Sequence, residues 1–122
     1  MKTSKVLLTF DILTLMPEMF LALSDYGVTG RAFKKKIVNL NLWNPREFST
    51  DLHKTVDDRT YGGGPGMLMT AEPLIKSIEA AKKRQDKLGI KNSKVIHMTP
   101  RGKLLSHNEV KRLLASEGLV II

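Results

Sequence analysis

Gly118-Leu-Val-Ile-Ile122 is the most informative segment of the sequence for the fold. It is a short apolar run, rich in β-branched residues and without a polar side chain. Such a run is typical of a strand that is buried on both faces of a parallel sheet. Because a buried strand normally continues into a loop, we expect the chain to be an N-terminal piece of a longer protein. The alternative is a short C-terminal strand.

Three other segments show strand patterns. Residues 5–14 are mostly apolar around Asp11, residues 37–43 alternate apolar and polar side chains, and residues 94–98 form a brief apolar run. These patterns predict a first strand, a half-buried second strand and a short third strand before the one at the C-terminal end.

The clearest helix pattern covers residues 71–85, where Ala, Leu and Ile recur at helical spacing. Thr70 precedes this segment and is a candidate N-cap, because its side chain can accept a hydrogen bond from the first turn. Gly89 follows the basic end of the segment and is the expected C-terminal stop. We therefore predict one long amphipathic helix here.

Further helices are predicted on either side. Ser106 and Glu109 have the spacing of a capping box, and we expect the helix that they open to end at Gly118. Shorter helices are expected after Pro17, which suits a first helical turn, and at residues 31–36. Residues between 25 and 30 are rich in turn formers and are expected to form a turn.

This order of elements predicts one α/β domain with a mainly parallel sheet flanked by helices. Ligands of such sheets lie outside the carboxyl ends of the strands, so the turns after Met98 and after Ile122 are the expected places for a site. Residues 46–66 are polar, rich in glycine and without periodicity, and a loop of this length is a candidate for function.

The composition narrows the classes of protein. Lys and Arg number 20 against 12 Asp and Glu, a net charge of +8, so a polyanionic partner such as RNA is expected. The chain has no cysteine, which excludes disulfides, thiolate nucleophiles and cysteine-bound zinc. No segment approaches the roughly 20 apolar residues of a membrane span, and the N-terminus lacks a signal-peptide cleavage site. We expect a soluble, cytoplasmic protein without a membrane partner.

The most unusual stretch is Arg59-Thr-Tyr-Gly-Gly-Gly-Pro-Gly-Met67. It lacks the Lys-Ser/Thr of a Walker A loop and the glycine spacing of a dinucleotide fingerprint. A flexible turn and an anion-binding nest of backbone N–H groups remain open. The apolar flank formed by Tyr61 and residues 67–69 favours a packed wall, since a solvated linker would not carry these side chains.

Other candidate sites are weaker. Asp57 and Asp58 could hold a metal with Asp51 or His53, but they lack the ligand spacing of a calcium loop, and we expect no metal. His97 follows an apolar strand, where a buried histidine with satisfied hydrogen bonds is the commoner structure. No Ser/His/Asp arrangement has local support.

Several strings in this sequence resemble the bacterial tRNA (guanine-N1)-methyltransferase family, TrmD. They are Pro17-Glu-Met-Phe20, Asp25-Tyr-Gly-Val-Thr-Gly-Arg31, Thr55-Val-Asp-Asp-Arg59, Tyr61-Gly-Gly-Gly-Pro-Gly-Met-Leu-Met69 and the turn with Pro100 and Gly102. The resemblance covers nearly the whole chain in order. It implies a SPOUT-class domain with a trefoil knot and a homodimer whose active sites lie between subunits. It also implies methyl transfer from S-adenosylmethionine to guanine N1 at tRNA position 37.

The resemblance also implies roles for particular residues. A first cofactor loop corresponds to His97, Met98, Thr99 and Pro100. The active-site wall beside the methyl group and the guanine corresponds to Arg59, Tyr61, Gly62, Gly63, Gly64, Pro65, Gly66 and Met67. The family usually has tyrosine at position 97 and glutamine at position 101, so backbone contacts at this loop are more robust than side-chain contacts.

The proposed general base of the family and its tRNA-gripping C-terminal domain correspond to sequence beyond residue 122. We therefore expect residues 1–122 to be the first part of the cofactor-binding domain, with no catalytic residue in it, and to be inactive alone. The basic residues, including clusters at 34–36, 82–87 and 101–103, are expected to hold tRNA phosphates. The alternative function is a non-catalytic basic RNA-binding α/β module.

Overall fold

A computed structural model describes residues 6–50, 57–59, 67–69 and 71–122 of the chain. Its strands are β1 (Leu8–Leu13), β2 (Val38–Trp43), β3 (Asp57–Arg59), β4 (Met67–Met69), β5 (Lys94–Ile96) and β6 (Gly118–Ile121). Its α-helices are α1 (Leu21–Ser24), α2 (Gly27–Lys34), α3 (Ala71–Lys87) and α4 (His107–Ala115), and Pro17–Phe20 and Pro45–Phe48 are short 3-10 helices.

Four strands form one parallel sheet in the order β2-β1-β6-β5. Strand β6 lies inside this sheet, where Gly118, Leu119 and Val120 are buried. The prediction of a parallel α/β sheet flanked by helices is therefore confirmed, and so is the buried strand at residues 118–122. Strands β3 and β4 form a separate antiparallel pair.

Helix α3 covers one face of the sheet. Its buried residues are spaced four apart, at Pro73, Ser77, Ala81 and Gln85, so they lie on one side of the helix. The core cluster consists of Leu13, Ala81 and Val120, with Trp43, Leu74, Ile78 and Ile122 packed against it. The predicted long helix is confirmed, and Gly89 follows it with a φ of 87°, as expected for a stop.

The predicted capping of α4 is confirmed at its start and wrong at its end. Ser106 Oγ accepts a hydrogen bond from the Glu109 N–H at 3.2 Å. At the other end, Glu117 adopts the left-handed conformation with a φ of 68°, while Gly118 already belongs to β6. Gly118 is needed for a different reason, because Gln85 and Ile90 leave no room for a side chain there.

Two other boundaries differ from the predictions. Helix α2 begins at Gly27, within the expected turn, and Thr29 holds its start by donating a hydrogen bond to Leu23 O at 2.7 Å. The expected loop at residues 46–66 contains the end of one 3-10 helix and strand β3. A strand of three residues is too short for a periodic pattern to reveal it. Thr70, the candidate N-cap of α3, lies outside the described residues.

Candidate functional site

The four parallel strands all end at the same edge of the sheet, which we call the carboxyl edge. It consists of the residues that directly follow the strands, at positions 14–16, 44, 97–102 and 122. Sheets of this kind bind ligands outside this edge. The turn predicted from the sequence as a cofactor loop therefore lies on the side of the sheet where a ligand is expected.

The loop at the carboxyl edge is held by backbone hydrogen bonds. Ile122 N–H donates to Ile96 O at 2.9 Å, and Met98 N–H donates to Ile122 O at 3.1 Å, so the loop begins tied to the last residue of the chain. Gly102 N–H then donates to Thr99 O at 3.1 Å, which closes a β-turn with Pro100 in its second position.

The four predicted cofactor residues, His97, Met98, Thr99 and Pro100, are all exposed. The expectation of a buried histidine at position 97 is wrong, because the strand ends at Ile96 and the chain leaves the sheet there. Met98 is 68% exposed. The loop thus presents apolar surface beside backbone polar groups to its surroundings.

The start of α4 continues this exposed surface. Leu104 is 93% and Leu105 is 70% exposed immediately before the Ser106 cap. Within α4, Arg112 Nη2 lies 2.7 Å from Glu109 Oε2. Because Glu109 accepts this hydrogen bond from a cation, its pKa is lowered below the usual value.

The second predicted site, residues 59–67, is only partly within the described chain. In the antiparallel pair β3–β4, Arg59 faces Met67 and Asp57 faces Met69. The hairpin therefore holds the two ends of the glycine-rich stretch side by side. Residues 60–66, including Tyr61, Gly62, Gly63, Gly64, Pro65 and Gly66, lie outside the described residues. Their role as an active-site wall stays a prediction.

A buried polar cluster lies behind the carboxyl edge, and sequence reasoning missed it. Asp11 of β1 is fully buried and accepts hydrogen bonds from Trp43 Nε1 at 2.7 Å and from Gln85 Nε2 at 2.7 Å. Arg84 Nη1 lies 3.1 Å from each Asp11 carboxylate oxygen. The sequence feature that could have indicated this cluster is the position of Asp11 within an otherwise apolar strand segment.

This cluster fixes the end of β2, from which the chain leaves toward the hairpin. Trp43 is the last residue of β2, and its ring packs against Phe48 with the ring centroids 6.1 Å apart. Asn44 Oδ1 accepts a hydrogen bond from the Arg46 N–H at 3.0 Å. Asn44 thereby caps the 3-10 helix Pro45–Phe48, which follows β2. A buried charge at Asp11 thus orients the first residues of the segment that contains the glycine-rich stretch.

Other surface features do not coincide with the predicted site. An open depression of about 640 Å³ lies beside β2 and α2, lined by Phe33, Lys36 and Leu40 among others, and not at the loop of residues 97–100.

Among residues 6–50 and 71–122, no three His, Asp or Glu side chains come together as a metal site. In the same parts of the chain, no helix has the length and apolarity needed to cross a membrane.

Comparison with known proteins identifies the family. The family model described as "tRNA (Guanine-1)-methyltransferase TrmD" matches residues 8–122. The chain belongs to the TrmD family. It is 50% identical over 113 residues to a tRNA (guanine-N(1)-)-methyltransferase of Janthinobacterium sp. (strain Marseille), covering 93% of this chain and 45% of that protein. It is 52% identical to the Methylobacillus flagellatus protein of the same name, covering 93% of this chain and 43% of that protein.

A solved TrmD structure has the same fold. The crystal structure of tRNA (m1G37) methyltransferase from Aquifex aeolicus superposes with a TM-score of 0.73 at 33% identity, covering 94% of this chain and 50% of that chain. The predicted family and fold class are confirmed by these matches. The chain spans less than half the length of the two curated relatives.

Proposed function

We propose that the protein containing this chain is an S-adenosylmethionine-dependent tRNA methyltransferase that modifies guanine N1 at position 37, next to the anticodon. The observation that carries the proposal is the TrmD match over residues 8–122, together with relatives of that name at about 50% identity. The exposed loop of residues 97–100 at the carboxyl edge supports it, because this is where parallel sheets bind ligands.

The surface of the loop at residues 97–100 supports a role on one side of an adenosine. Cofactor pockets are mostly apolar and carry a few polar groups that fix orientation. Met98 and Pro100 offer apolar surface, and the backbone between them is positioned by the hydrogen bonds to Ile122 and Gly102. S-adenosylmethionine, when bound there, supplies a methyl group on a sulfonium, which is electrophilic. The loop residues hold the cofactor and orient it.

The second part of the site is the glycine-rich stretch. We propose that residues 59–67 form the wall that positions the guanine, with the β3–β4 hairpin holding Arg59 opposite Met67. Guanine N1 carries a proton at neutral pH, so a base has to remove it as the nitrogen becomes nucleophilic. We assign no residue of this chain to that role and expect the base in the sequence that follows.

The remaining parts of the proposal concern the whole protein. Residues 1–122 form the first part of its S-adenosylmethionine-binding domain, and a C-terminal domain grips the tRNA. The enzyme acts as a cytoplasmic homodimer. The positive charge of the chain supports a polyanionic substrate.

The test is methyl transfer from labelled S-adenosylmethionine to a tRNA transcript with guanine at position 37. A transcript with adenine at that position is the control. We expect the protein encoded by the whole gene to label only the guanine transcript, and to lose activity on Gly64→Val or Pro100→Ala. The 122-residue chain alone should label neither. Salt-sensitive RNA binding without any methyl transfer by the whole protein would favour the non-catalytic RNA-binding module.

A further inference from the structure

The amino ends of the four parallel strands form the edge opposite the proposed site, which we call the amino edge. Lysines gather there from segments that are distant in the sequence. All are exposed, and they are Lys34, Lys35, Lys36, Lys87, Lys91 and Lys94. The first three directly precede β2, and the others surround the start of β5. Among the described residues, the carboxylates on the segments that lead into these strands are Asp86 and Glu117, so six lysines against two carboxylates leave an excess of four positive charges.

The carboxyl edge has a different charge pattern. Three exposed cations lie on this edge or just after it, at Arg46, Arg101 and Lys103. Glu18 and Glu47 follow β1 and β2 at this edge as well. Three cations and two carboxylates leave an excess of one positive charge there, against four at the amino edge. Among the described residues, the larger excess therefore lies on the side of the sheet away from the proposed site.

Helix ends explain only part of this arrangement. Lys35 and Lys87 lie at the C-termini of α2 and α3, where a cation complements the helix dipole. Lys91 and Lys94 are not on helices. Lys36 has a φ of 58°, in the left-handed region. Glycine adopts this conformation at lower cost than lysine, so backbone geometry does not explain why a lysine occupies the position.

We propose that the amino edge is a second contact surface for RNA, which binds the phosphate backbone outside the region where the target guanine is held. The inference rests on the proposed tRNA substrate and adds a surface to it. The three spacings between the four strands make the edge about 14 Å wide. A row of exposed ammonium groups suits phosphates, because it neutralises charge without reading base identity.

The test compares two triple variants of the 122-residue chain with the same loss of charge. Lys35→Gln, Lys87→Gln and Lys94→Gln alter the amino edge, whereas Lys76→Gln, Lys111→Gln and Arg112→Gln alter cations elsewhere on α3 and α4. Affinity for an unmodified tRNA transcript is measured across a salt series, and thermal unfolding shows that both variants are folded. We expect the amino-edge variant to bind at least about ten-fold more weakly and to lose about one unit of salt slope per lysine, with little change in the control.

Three results would overturn the proposal. The first is an equal loss in both variants, which would show a general effect of charge. The second is a lower melting temperature of the amino-edge variant at unchanged RNA affinity, as expected if the lysines only serve helix ends. The third is an amino-edge variant that no longer binds vesicles containing phosphatidylserine but binds RNA as before, which would indicate a membrane surface as the partner. The RNA-binding assay needs no methyl donor, so it is independent of the methyl-transfer assay. If the whole protein failed to transfer a methyl group while RNA binding still depended on the amino edge, the proposed function would be contradicted and the proposed contact surface would stand.

Discussion

The side-chain amide of Gln85 in α3 lies directly against the backbone of Gly118 at the start of β6. Gln85 Nε2 donates to Leu119 O at 2.9 Å and to Asp11 Oδ2 at 2.7 Å, which places Oε1 toward Gly118. A Cβ at position 118 would meet Gln85 Oε1 and would come within 2.8 Å of Ile90 Cγ2. This contact sets how closely α3 approaches the sheet.

Gly118→Ala should therefore destabilise the chain. Overpacking costs about 1–3 kcal/mol, offset by the smaller backbone entropy of alanine, so we expect a net loss of about 1–2 kcal/mol in the free energy of unfolding by urea. In a Gln85→Ala background the added cost should be smaller. Equal costs in both backgrounds would show that Gln85 is not the obstacle.

Asp11→Asn should lower the free energy of unfolding. The carboxylate accepts hydrogen bonds from Trp43, Arg84 and Gln85, whereas an amide has one accepting oxygen and cannot satisfy all three donors. Arg84 is partly exposed and can turn toward water, so we expect a loss of about 2–3 kcal/mol, somewhat less than for a fully buried ion pair. Fluorescence of Trp43, the single tryptophan, follows unfolding and the local environment of the cluster.

Asp86→Asn is the matched control for the Asp11 variant. Asp86 lies 2.9 Å from Lys91 Nζ in an exposed pair, and such pairs contribute at most about 1 kcal/mol. If both variants lost the same stability, the buried cluster would not be a determinant of this fold.

Ser106→Ala should cost about 1 kcal/mol in unfolding free energy, because the Glu109 N–H loses its acceptor at the start of α4. Asn92→Ala, at an exposed bend, is the control and should change stability by less than about 0.5 kcal/mol. Circular dichroism during urea unfolding measures both. A Ser106→Asp variant should retain most of the stability, since aspartate is also a good N-cap.

The Arg112–Glu109 pair should make part of the stability of α4 depend on pH. The Arg112 hydrogen bond lowers the pKa of Glu109 from its usual 4.5, so the folded state binds this proton less readily than the unfolded state. The contribution is present above pH 4.5 and is lost as the pH falls through the folded-state pKa. The stability difference between the native chain and Arg112→Gln should shrink on acidification, and a constant difference would contradict the pairing.

Met98→Ala should weaken methyl-donor affinity of the protein encoded by the whole gene without destabilising it, because Met98 is 68% exposed. Leu88→Ala removes another exposed apolar side chain, at the end of α3 away from the carboxyl edge, and should leave that affinity unchanged. Isothermal titration with S-adenosylmethionine measures both. Similar affinities for the two variants would remove Met98 from the proposed cofactor surface.

The elements with long or strongly patterned segments could be predicted from the sequence. Helix α3 and strand β6 follow from apolar spacing, and the capped start of α4 follows from Ser106 and Glu109. The loop at residues 97–100 could be placed because parallel strands present their carboxyl ends at one edge. The end of α4 was wrongly placed because its last turn closes with a left-handed Glu117, for which the sequence has no marker.

The parallel α/β fold, the family and the position of the proposed cofactor loop could be read from the sequence alone, because each depends on local periodicity or on contiguous strings. The folded structure was needed to show that Asp11 is buried beside Arg84, which lies 73 residues away in the chain. It was also needed to show that the lysines before β2 and around β5 share one edge of the sheet. Both depend on which strands become neighbours, and that pairing is set by long-range packing, which no local pattern records.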